Sequence, residues 1–248
     1  MGSIHIGDQS LYPLQDQINS AFEEADHLAV EIDIVDVDEM AASQIMMQRG
    51  MYQDGTILSD VLEEEVFKEA VEQLSSFGMN EAMLNQFQPW VVSMLLSEVA
   101  LENTDYTGDN GVDLHFLNRA KDKEIPIISL ETLESQIESI SSSTVEEQTA
   151  ILENTLDSMD IYQDELQQMI NIWRSGKTEV FAQLRQMDQG SEQLAMDERD
   201  VAMTDQIEDF LNAKEGETYF VVVGSLHLAG ENSIVDLLEK RGYAIEPL

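Results

Sequence analysis

The chain has no cysteine among its 248 residues. This absence excludes disulfides, thiolate metal sites and a cysteine nucleophile. Only 4 residues are proline, and no proline-rich or glycine-serine linker divides the sequence. With 43% hydrophobic residues, the chain is long enough to bury one substantial core. We therefore expect a single domain over residues 1–248.

Basic residues are scarce as well, since 12 lysines and arginines face 50 aspartates and glutamates, for a formal net charge of −38. Nucleic acids and anionic membranes need a basic surface, so this balance argues against both as partners. A surface of this kind repels itself, and salt relieves the repulsion. A solvated acidic coat on helices explains the charge more simply than specific cation storage does.

Long apolar runs are also missing from the sequence. The longest nearly apolar stretch, residues 90–101, is interrupted by two serines and a glutamate and is too short to span a bilayer. No signal peptide is visible, and Ile6 stands where an N-myristoylation signal needs serine or threonine. We expect the chain as given to be soluble, and we favour an extracytoplasmic or cell-surface location over a cytoplasmic one.

One tetrapeptide pattern occurs twice, as Gly2-Ser3-Ile4-His5 and as Gly224-Ser225-Leu226-His227, and uses two of the four histidines. The second copy follows residues 219–223, a β-branched and aromatic run that predicts a buried strand. His227 would then lie at the carboxyl end of a strand, where open α/β sheets bind ligands. A single histidine in such a place is more often structural, but the repetition favours a paired site. Only Met1 precedes the first copy, so no strand is visible before it.

Residues 28–34 predict a second strand, and Glu31 interrupts its apolar run. A buried carboxylate needs a cation, a metal or hydrogen-bond donors, so Glu31 is a candidate site residue. The alternative places Glu31 and Asp33 on the solvated face of an edge strand. Spacing alone leaves both possibilities open.

Helical periodicity dominates the middle of the chain. It predicts insertions at about 56–103 and 144–213, and Asn80 and Pro89 each have the character of a helix start. Residues 125–130 predict a further strand between the two insertions. The pattern favours an α/β fold with a mixed central β-sheet flanked by helices and with large helical insertions.

Two features of this middle region have competing interpretations. Methionines such as Met46, Met47 and Met79 would either fill a core or line an adaptable groove for a peptide. The segment 103–114 is rich in aspartate, asparagine and glycine, as calcium loops are, but its twelfth position is Leu114 where an EF-hand needs glutamate. A capped helix is the simpler interpretation of that segment.

Both ends of the chain resemble the TraB/GumN family, which includes the Tiki metalloproteases. The opening Gly-Ser-Ile-His-Ile-Gly-Asp with Leu11-Tyr12-Pro13-Leu14 is similar to that family's first Gly-x-x-His region. Residues 224–231 with Arg241-Gly242-Tyr243 are similar to its second region and closing strand. Weaker similarities lie between them, at Gly111-Val112-Asp113, Leu130-Glu131-Thr132 and Glu198-Arg199-Asp200. The likeness covers nearly the whole chain.

The resemblance implies a metal-dependent peptidase that acts on a peptide or protein substrate. By position, His5, Glu31 and His227 would hold one divalent ion, with manganese or cobalt favoured. Glu31 would be a ligand or the general base, since both roles need an ionised carboxylate near the ion. Arg199 would stabilise a developing oxyanion or anchor a substrate carboxylate.

Several alternatives stay open at this stage. Arg199 would also pair with the neighbouring Glu198 or Asp200, and of two weaker candidates, Asp113 and Glu131, the second would ordinarily cap the helix after it. The whole protein would otherwise be a non-catalytic peptide-binding or regulatory module, or an esterase-type hydrolase that uses His5 as a base without metal. Apolar helix faces would also permit a homodimer.

Overall fold

The computed structural model describes residues 1–187, 191–213 and 216–247. The chain forms two compact units. The first comprises Met1–Val37, Thr107–Thr132 and Gln168–Leu248, and the second comprises Asp38–Tyr106 and Leu133–Gln167. The expected single domain over residues 1–248 stays a prediction.

The described residues of the first unit contain one sheet of four strands in the order β1-β4-β2-β3. Each of its three pairings is parallel. The strands are β1 (Gly2–Ser3), β2 (His27–Val30), β3 (Ile127–Ser129) and β4 (Tyr219–Gly224). Parallel strands covered by helices are buried on both faces, which accounts for the continuous apolar sequences of β2 and β4. The predicted α/β class with helices flanking a sheet is confirmed.

Helices account for most of the remaining chain. In chain order they are α1 (Asp16–Glu23), α2 (Glu39–Gly50), α3 (Glu64–Leu74), α4 (Glu81–Leu84), α5 (Pro89–Glu102), α6 (Val112–Asp122), α7 (Leu133–Ser141), α8 (Val145–Ser158), α9 (Tyr162–Ser175), α10 (Thr178–Met187), α11 (Ser191–Leu211) and α12 (Ile234–Lys240). The helix starts predicted at Asn80 and Pro89 are confirmed: the Asn80 side chain caps α4, and Pro89 opens α5. Of the helices described, none combines the length and the apolar character that crossing a membrane requires.

Each unit has its own hydrophobic core. On one face of the sheet, Phe22 of α1, Phe116 of α6 and Phe220 of β4 pack ring against ring. On the other face, residues of α11 and α12 cover Ala29 and Val223. The core of the second unit lies mainly among α3, α5 and α8.

The core role is confirmed for two of these three methionines, and the adaptable groove for a peptide stays a prediction. Met46 and Met79 pack against cores of the second unit, whereas the side chain of Met47 is 53% exposed.

Three sequence-based expectations for the strands are corrected. The second strand ends at Val30 and does not continue to residue 34, because Glu31 turns its carboxylate to the backbone N–H of Gly224 and a tight turn follows. The edge-strand alternative for Glu31 is wrong, since β2 lies between β4 and β3 and Glu31 is buried. The strand of the first Gly-x-x-His copy is formed by Gly2 and Ser3 themselves, which pair with Val223 and Gly224.

The loop before α6 packs tightly against the first motif. A Cβ atom on Gly111 would lie 2.4 Å from the carbonyl oxygen of His5, whereas the nearest atom to a Cβ on Gly108 is that same oxygen at 4.0 Å. We expect Gly111→Ala to lower the free energy of unfolding by about 1–3 kcal/mol, because backbone must move to relieve the clash. Gly108→Ala is the matched control and should change it by less than about 1 kcal/mol. Urea unfolding measures both, and equal effects would contradict this packing.

Candidate functional site

Four of the candidate site residues lie just beyond the carboxyl ends of the strands. Glu31 directly follows β2, and His5 lies two residues after β1. His227 lies on a 3-10 turn, Ser225–Leu228, that continues from β4. Glu131 comes two residues after β3. Because parallel strands end at one edge of the sheet, residues distant in the sequence become neighbours there.

Three of these side chains converge on Gly224. A Cβ atom placed on Gly224 would lie 3.2 Å from Oε1 of Glu31, 3.6 Å from Cδ2 of His227 and 3.7 Å from Nε2 of His5. The backbone N–H of Gly224 also donates to Oε1 of Glu31 at 2.5 Å. Any larger residue at position 224 would place its side chain in the space between the two imidazoles and the carboxylate.

His5 is positioned by an aspartate from the first turn of α6. Its Nδ1 lies 2.9 Å from Oδ2 of Asp113, and the His5 side chain is 62% exposed, whereas Asp113 is mostly covered. The hydrogen bond to Asp113 raises the pKa of His5 above its usual value and outweighs the opposing effect of burial. With Nδ1 engaged, Nε2 is the nitrogen that faces Gly224.

His227 has an equivalent partner, but a buried one. Its Nδ1 lies 2.5 Å from Oδ1 of Asp200, which comes from α11 and has no exposed surface. Its Nε2 lies 3.8 Å from Oε1 of Glu31. Both histidines therefore turn Nδ1 to an aspartate and Nε2 toward the space beside Glu31.

Arg185 of α10 forms an ion pair with Asp200. Its Nη1 lies 2.5 Å from Oδ2 of Asp200 and donates to the carbonyl oxygen of Leu226 at 3.0 Å. Its Nη2 donates to Asp197 at 2.7 Å. The Arg185 side chain is 2% exposed. His227 is therefore positioned by buried charged groups, since Arg185 contacts Asp200 and Asp200 contacts His227.

Asp200, Arg185 and Asp197 are site residues that the sequence did not single out. Asp200 stands in the Glu-Arg-Asp segment that resembled the family, and that position was its only signal. Arg185 is one of 12 basic residues in an acidic chain, but helical periodicity does not show that it is buried.

Arg199 of α11 joins two carboxylates at strand ends. Its Nε and Nη2 donate to the two oxygens of Glu131 at 2.8 and 2.6 Å, and Nη2 also donates to Oε2 of Glu31 at 3.1 Å. Burial alone would lower the pKa of Arg199, but the hydrogen bonds to Glu131 and the nearby negative charges outweigh it and raise that pKa. Arg199 therefore bonds to Glu31 and Glu131 and not to the neighbouring Glu198.

The donor types at the site suit a divalent ion. Imidazole nitrogens and carboxylates bind manganese, cobalt and zinc, and a ligating histidine commonly gives its other ring nitrogen to a carboxylate, as both histidines do here. The arrangement is not a preformed ligand cage: within residues 1–187, 191–213 and 216–247, no group of three His, Asp or Glu side chains is spaced to hold an ion. Glu31 is held instead by Gly224 and Arg199.

The family model of the TraB/PrgY/gumN family matches residues 1–247. The chain is 25% identical over 244 residues to the "Uncharacterized protein YbaP" of Escherichia coli strain K12, covering 96% of this chain and 86% of that protein. The protein of the same name from Shigella flexneri matches to the same extent. An "Uncharacterized protein" of Treponema pallidum strain Nichols is 26% identical over 161 residues, covering 61% of this chain and 45% of that protein.

No solved structure matches the chain significantly. The resemblance that the sequence showed is confirmed at the level of the family. The closer likeness to the Tiki metalloproteases stays a prediction.

The contact between His5 and Asp113 predicts a pH dependence. Asp113→Asn should lower the pKa of His5, since it removes the negative charge that stabilises the imidazolium and leaves a neutral amide oxygen as the acceptor. Because the pKa of His5 is raised on folding, the stability that this contact adds is present below the unfolded pKa of about 6.5. It is lost as the pH rises through the higher folded value. The stability difference between the two proteins should therefore be largest in acid and shrink above that pH.

NMR titration of the histidine rings, with a chelator present, measures this effect. His115 is the internal control, because burial lowers its pKa, and Asp113→Asn should leave that pKa unchanged. An unchanged pKa of His5 in Asp113→Asn would contradict the assigned contact.

Proposed function

Because the chain belongs to the TraB/PrgY/gumN family, we propose that it is a metal-dependent hydrolase that cleaves peptide bonds. His5, His227 and Glu31 would be the ligands of one divalent ion, with manganese or cobalt favoured. The observation that carries the proposal is the matched pair of aspartate-bound histidines, whose Nε2 atoms lie close to Gly224 and Glu31. A pair of ordinary structural histidines has no need to share this orientation.

The protein's own groups have distinct roles in this proposal. Asp113 and Asp200 would hold the proton of each neutral imidazole on Nδ1, so that each Nε2 keeps its lone pair for a ligand. The bound ion would polarise the substrate carbonyl and lower the pKa of a water molecule. Glu31 would be a ligand or would accept the proton of that water.

Arg199 supplies a fixed positive charge on the other side of Glu31. Its guanidinium is anchored to Glu131 by two hydrogen bonds and reaches Glu31 by a third. A guanidinium held in this way would stabilise a negatively charged oxygen of the reacting substrate, or would bind a substrate carboxylate. Glu131 positions Arg199 in this proposal and takes no direct part in the reaction.

A non-catalytic peptide-binding module is the second candidate. The ion pair of Arg199 with Glu31 favours it, because Arg199 already balances the charge of the carboxylate that would serve a metal. The metal-independent esterase stays a prediction that none of these contacts favours over the first two.

Metal binding tests the proposed ligand set. We expect Asp113→Asn to weaken the affinity for Mn²⁺ by about 10–100-fold, since it loosens a ligand without removing it. His5→Ala and His227→Ala should each weaken the affinity more. Titration calorimetry of the metal-free variants gives these affinities.

The matched control for metal binding is His27→Ala. His27 lies at the amino end of β2 and stacks on Tyr219, so its removal should leave the affinity for Mn²⁺ unchanged. Equal losses in His27→Ala and His227→Ala would show that the effect comes from unfolding or from surface charge.

Turnover separates the two candidate functions. We expect the purified chain to cleave members of a peptide library with Mn²⁺ or Co²⁺, to lose cleavage with a chelator, and to regain it when the ion is restored. His5→Ala and His227→Ala should be inactive, and His27→Ala active. Cleavage that survives chelation or both site substitutions would rule out the metal-dependent mechanism. Peptide binding without cleavage in the metal-loaded protein would favour the second candidate.

A further inference from the structure

Glu31 and Glu131 leave two neighbouring strands side by side. β2 and β3 pair in parallel, with Val30 opposite Ser129. The pairing continues beyond both strand ends, since the backbone N–H of Leu130 donates to the carbonyl of Val30, and that of Glu131 to the carbonyl of Glu31, each at 2.8 Å. The backbone therefore fixes the position of one carboxylate residue relative to the other.

The guanidinium of Arg199 contacts both carboxylates. It donates two hydrogen bonds to Glu131, at 2.8 and 2.6 Å, and one to Oε2 of Glu31, at 3.1 Å. The side chains of Glu31 and Glu131 are 11% and 5% exposed, and that of Arg199 is 21% exposed. Salt screens charges in such surroundings less than it screens charges on the surface. Arg199 therefore offsets one of two negative charges that are held close together.

The two oxygens of Glu31 have different neighbours. Oε1 accepts from the N–H of Gly224 and lies 3.8 Å from Nε2 of His227, whereas Oε2 contacts Arg199. In the proposed function Glu31 also serves a divalent ion, so two cations share one carboxylate. An arginine beside a carboxylate weakens its binding of a proton by about 10–1,000-fold, and the same competition applies to a metal ion.

We propose that Arg199 sets the affinity of this site for its divalent ion by competing with the ion for the charge of Glu31. Glu131 limits the competition, because it accepts two of the three hydrogen bonds of the guanidinium. The inference rests on the proposed function, since it takes Glu31 as a metal ligand. The site binds its ion less tightly than its donor atoms alone would, and the Arg199–Glu131 pair determines by how much.

Titration calorimetry of the metal-free proteins with Mn²⁺, at one ionic strength, tests the competition. Arg199→Gln should bind Mn²⁺ at least about 10-fold more tightly than the unsubstituted chain, because the repelling charge is gone. Arg199→Lys keeps a positive charge at this position and should bind less tightly than Arg199→Gln. A merely structural role of Arg199 would not produce a gain in affinity that lysine reverses.

Arg241→Gln is the matched control for the loss of one positive charge. Arg241 also forms ion pairs with two carboxylates, Asp205 and Glu208. Both lie on α11, roughly two helical turns beyond Arg199. The substitution changes the net charge of the chain as Arg199→Gln does, but it leaves Glu31 and its partners in place. Its affinity for Mn²⁺ should stay within about twofold of that of the unsubstituted chain.

Glu131→Gln tests the other half of the proposal. It should weaken Mn²⁺ binding, because the guanidinium loses its charged partner Glu131 and pairs more strongly with Glu31. The double variant Glu131→Gln/Arg199→Gln removes one charge of each sign, so the formal net charge stays at −38. It should bind Mn²⁺ at least about 10-fold more tightly than Glu131→Gln alone. If Arg199→Gln fails to fold, judged by circular dichroism, this pair of variants decides the question.

The outcomes separate this proposal from the proposed function. If the unsubstituted chain binds Mn²⁺ and Arg199→Gln binds it no more tightly than Arg241→Gln, the competition is absent and the ligand set stands. If neither the unsubstituted chain nor any variant binds Mn²⁺, the ligand set and the competition are both wrong. Affinity is measured without turnover, so a chain that binds the ion and cleaves no peptide still gives a decisive result.

Discussion

The parallel pairing of β1 with β4 is the contact on which the site depends. It places Ser3 beside Gly224, so that the two Gly-x-x-His copies leave the sheet side by side although they lie at opposite ends of the chain. Two hydrogen bonds from outside the strand reinforce the pairing: Ser225 donates to the carbonyl of Ser3, and Trp173 to the carbonyl of Gly2. A contact between such distant residues carries a large loop-closure cost, which these added bonds help to offset.

The buried ion pair of Arg185 and Asp200 contributes more to the orientation of the site residues than to the stability of the fold. Arg185 and Asp200 are almost fully buried, and burying a pair of ions costs desolvation energy that their attraction recovers only in part. Hydrophobic residues of the same volume would often be at least as stable there. The ion pair fixes the orientation of the His227 ring, because one oxygen of Asp200 bonds to Nδ1 of His227 and the other oxygen contacts Arg185. In a chain with 12 basic residues, Arg185 and Arg199 both lie at this site.

Local sequence predicted the parts of the site whose causes are local. The strand, the glycine and the turn around His227 are consecutive, so their pattern can be recognised without knowledge of the fold. β1 could not be recognised, since two residues carry no periodicity and the strand exists only through its partner β4. The second strand was predicted too long for the same reason. Alternation in residues 28–34 does not reveal that Glu31 bonds to Gly224, whose position in the sequence is remote.

Sequence patterns could not identify the carboxylates that position the two histidines. With 50 acidic residues, most aspartates and glutamates lie on solvated helix faces, and spacing does not distinguish Asp200 or Asp113 from these. Only tertiary packing shows that α11 turns Asp200 inward and that α6 presents Asp113 to His5. The family resemblance pointed to both segments and made Asp113 a weaker candidate, but it gave neither residue a role.

The side chains of His5 and His227 differ in exposure and in how firmly their partners hold them. This difference bears on how a ligand would enter the site. His227 is 5% exposed and is held by Asp200, which Arg185 supports, so its ring is ordered before any ligand arrives. His5 is largely exposed and has one partner, Asp113, on its own side of the site. Ordering a mobile side chain costs conformational entropy, and in the proposed site most of that cost falls on His5. A substrate or ion would therefore enter past His5 and meet a fixed surface at His227, with Arg199 and Glu31 already joined beside it.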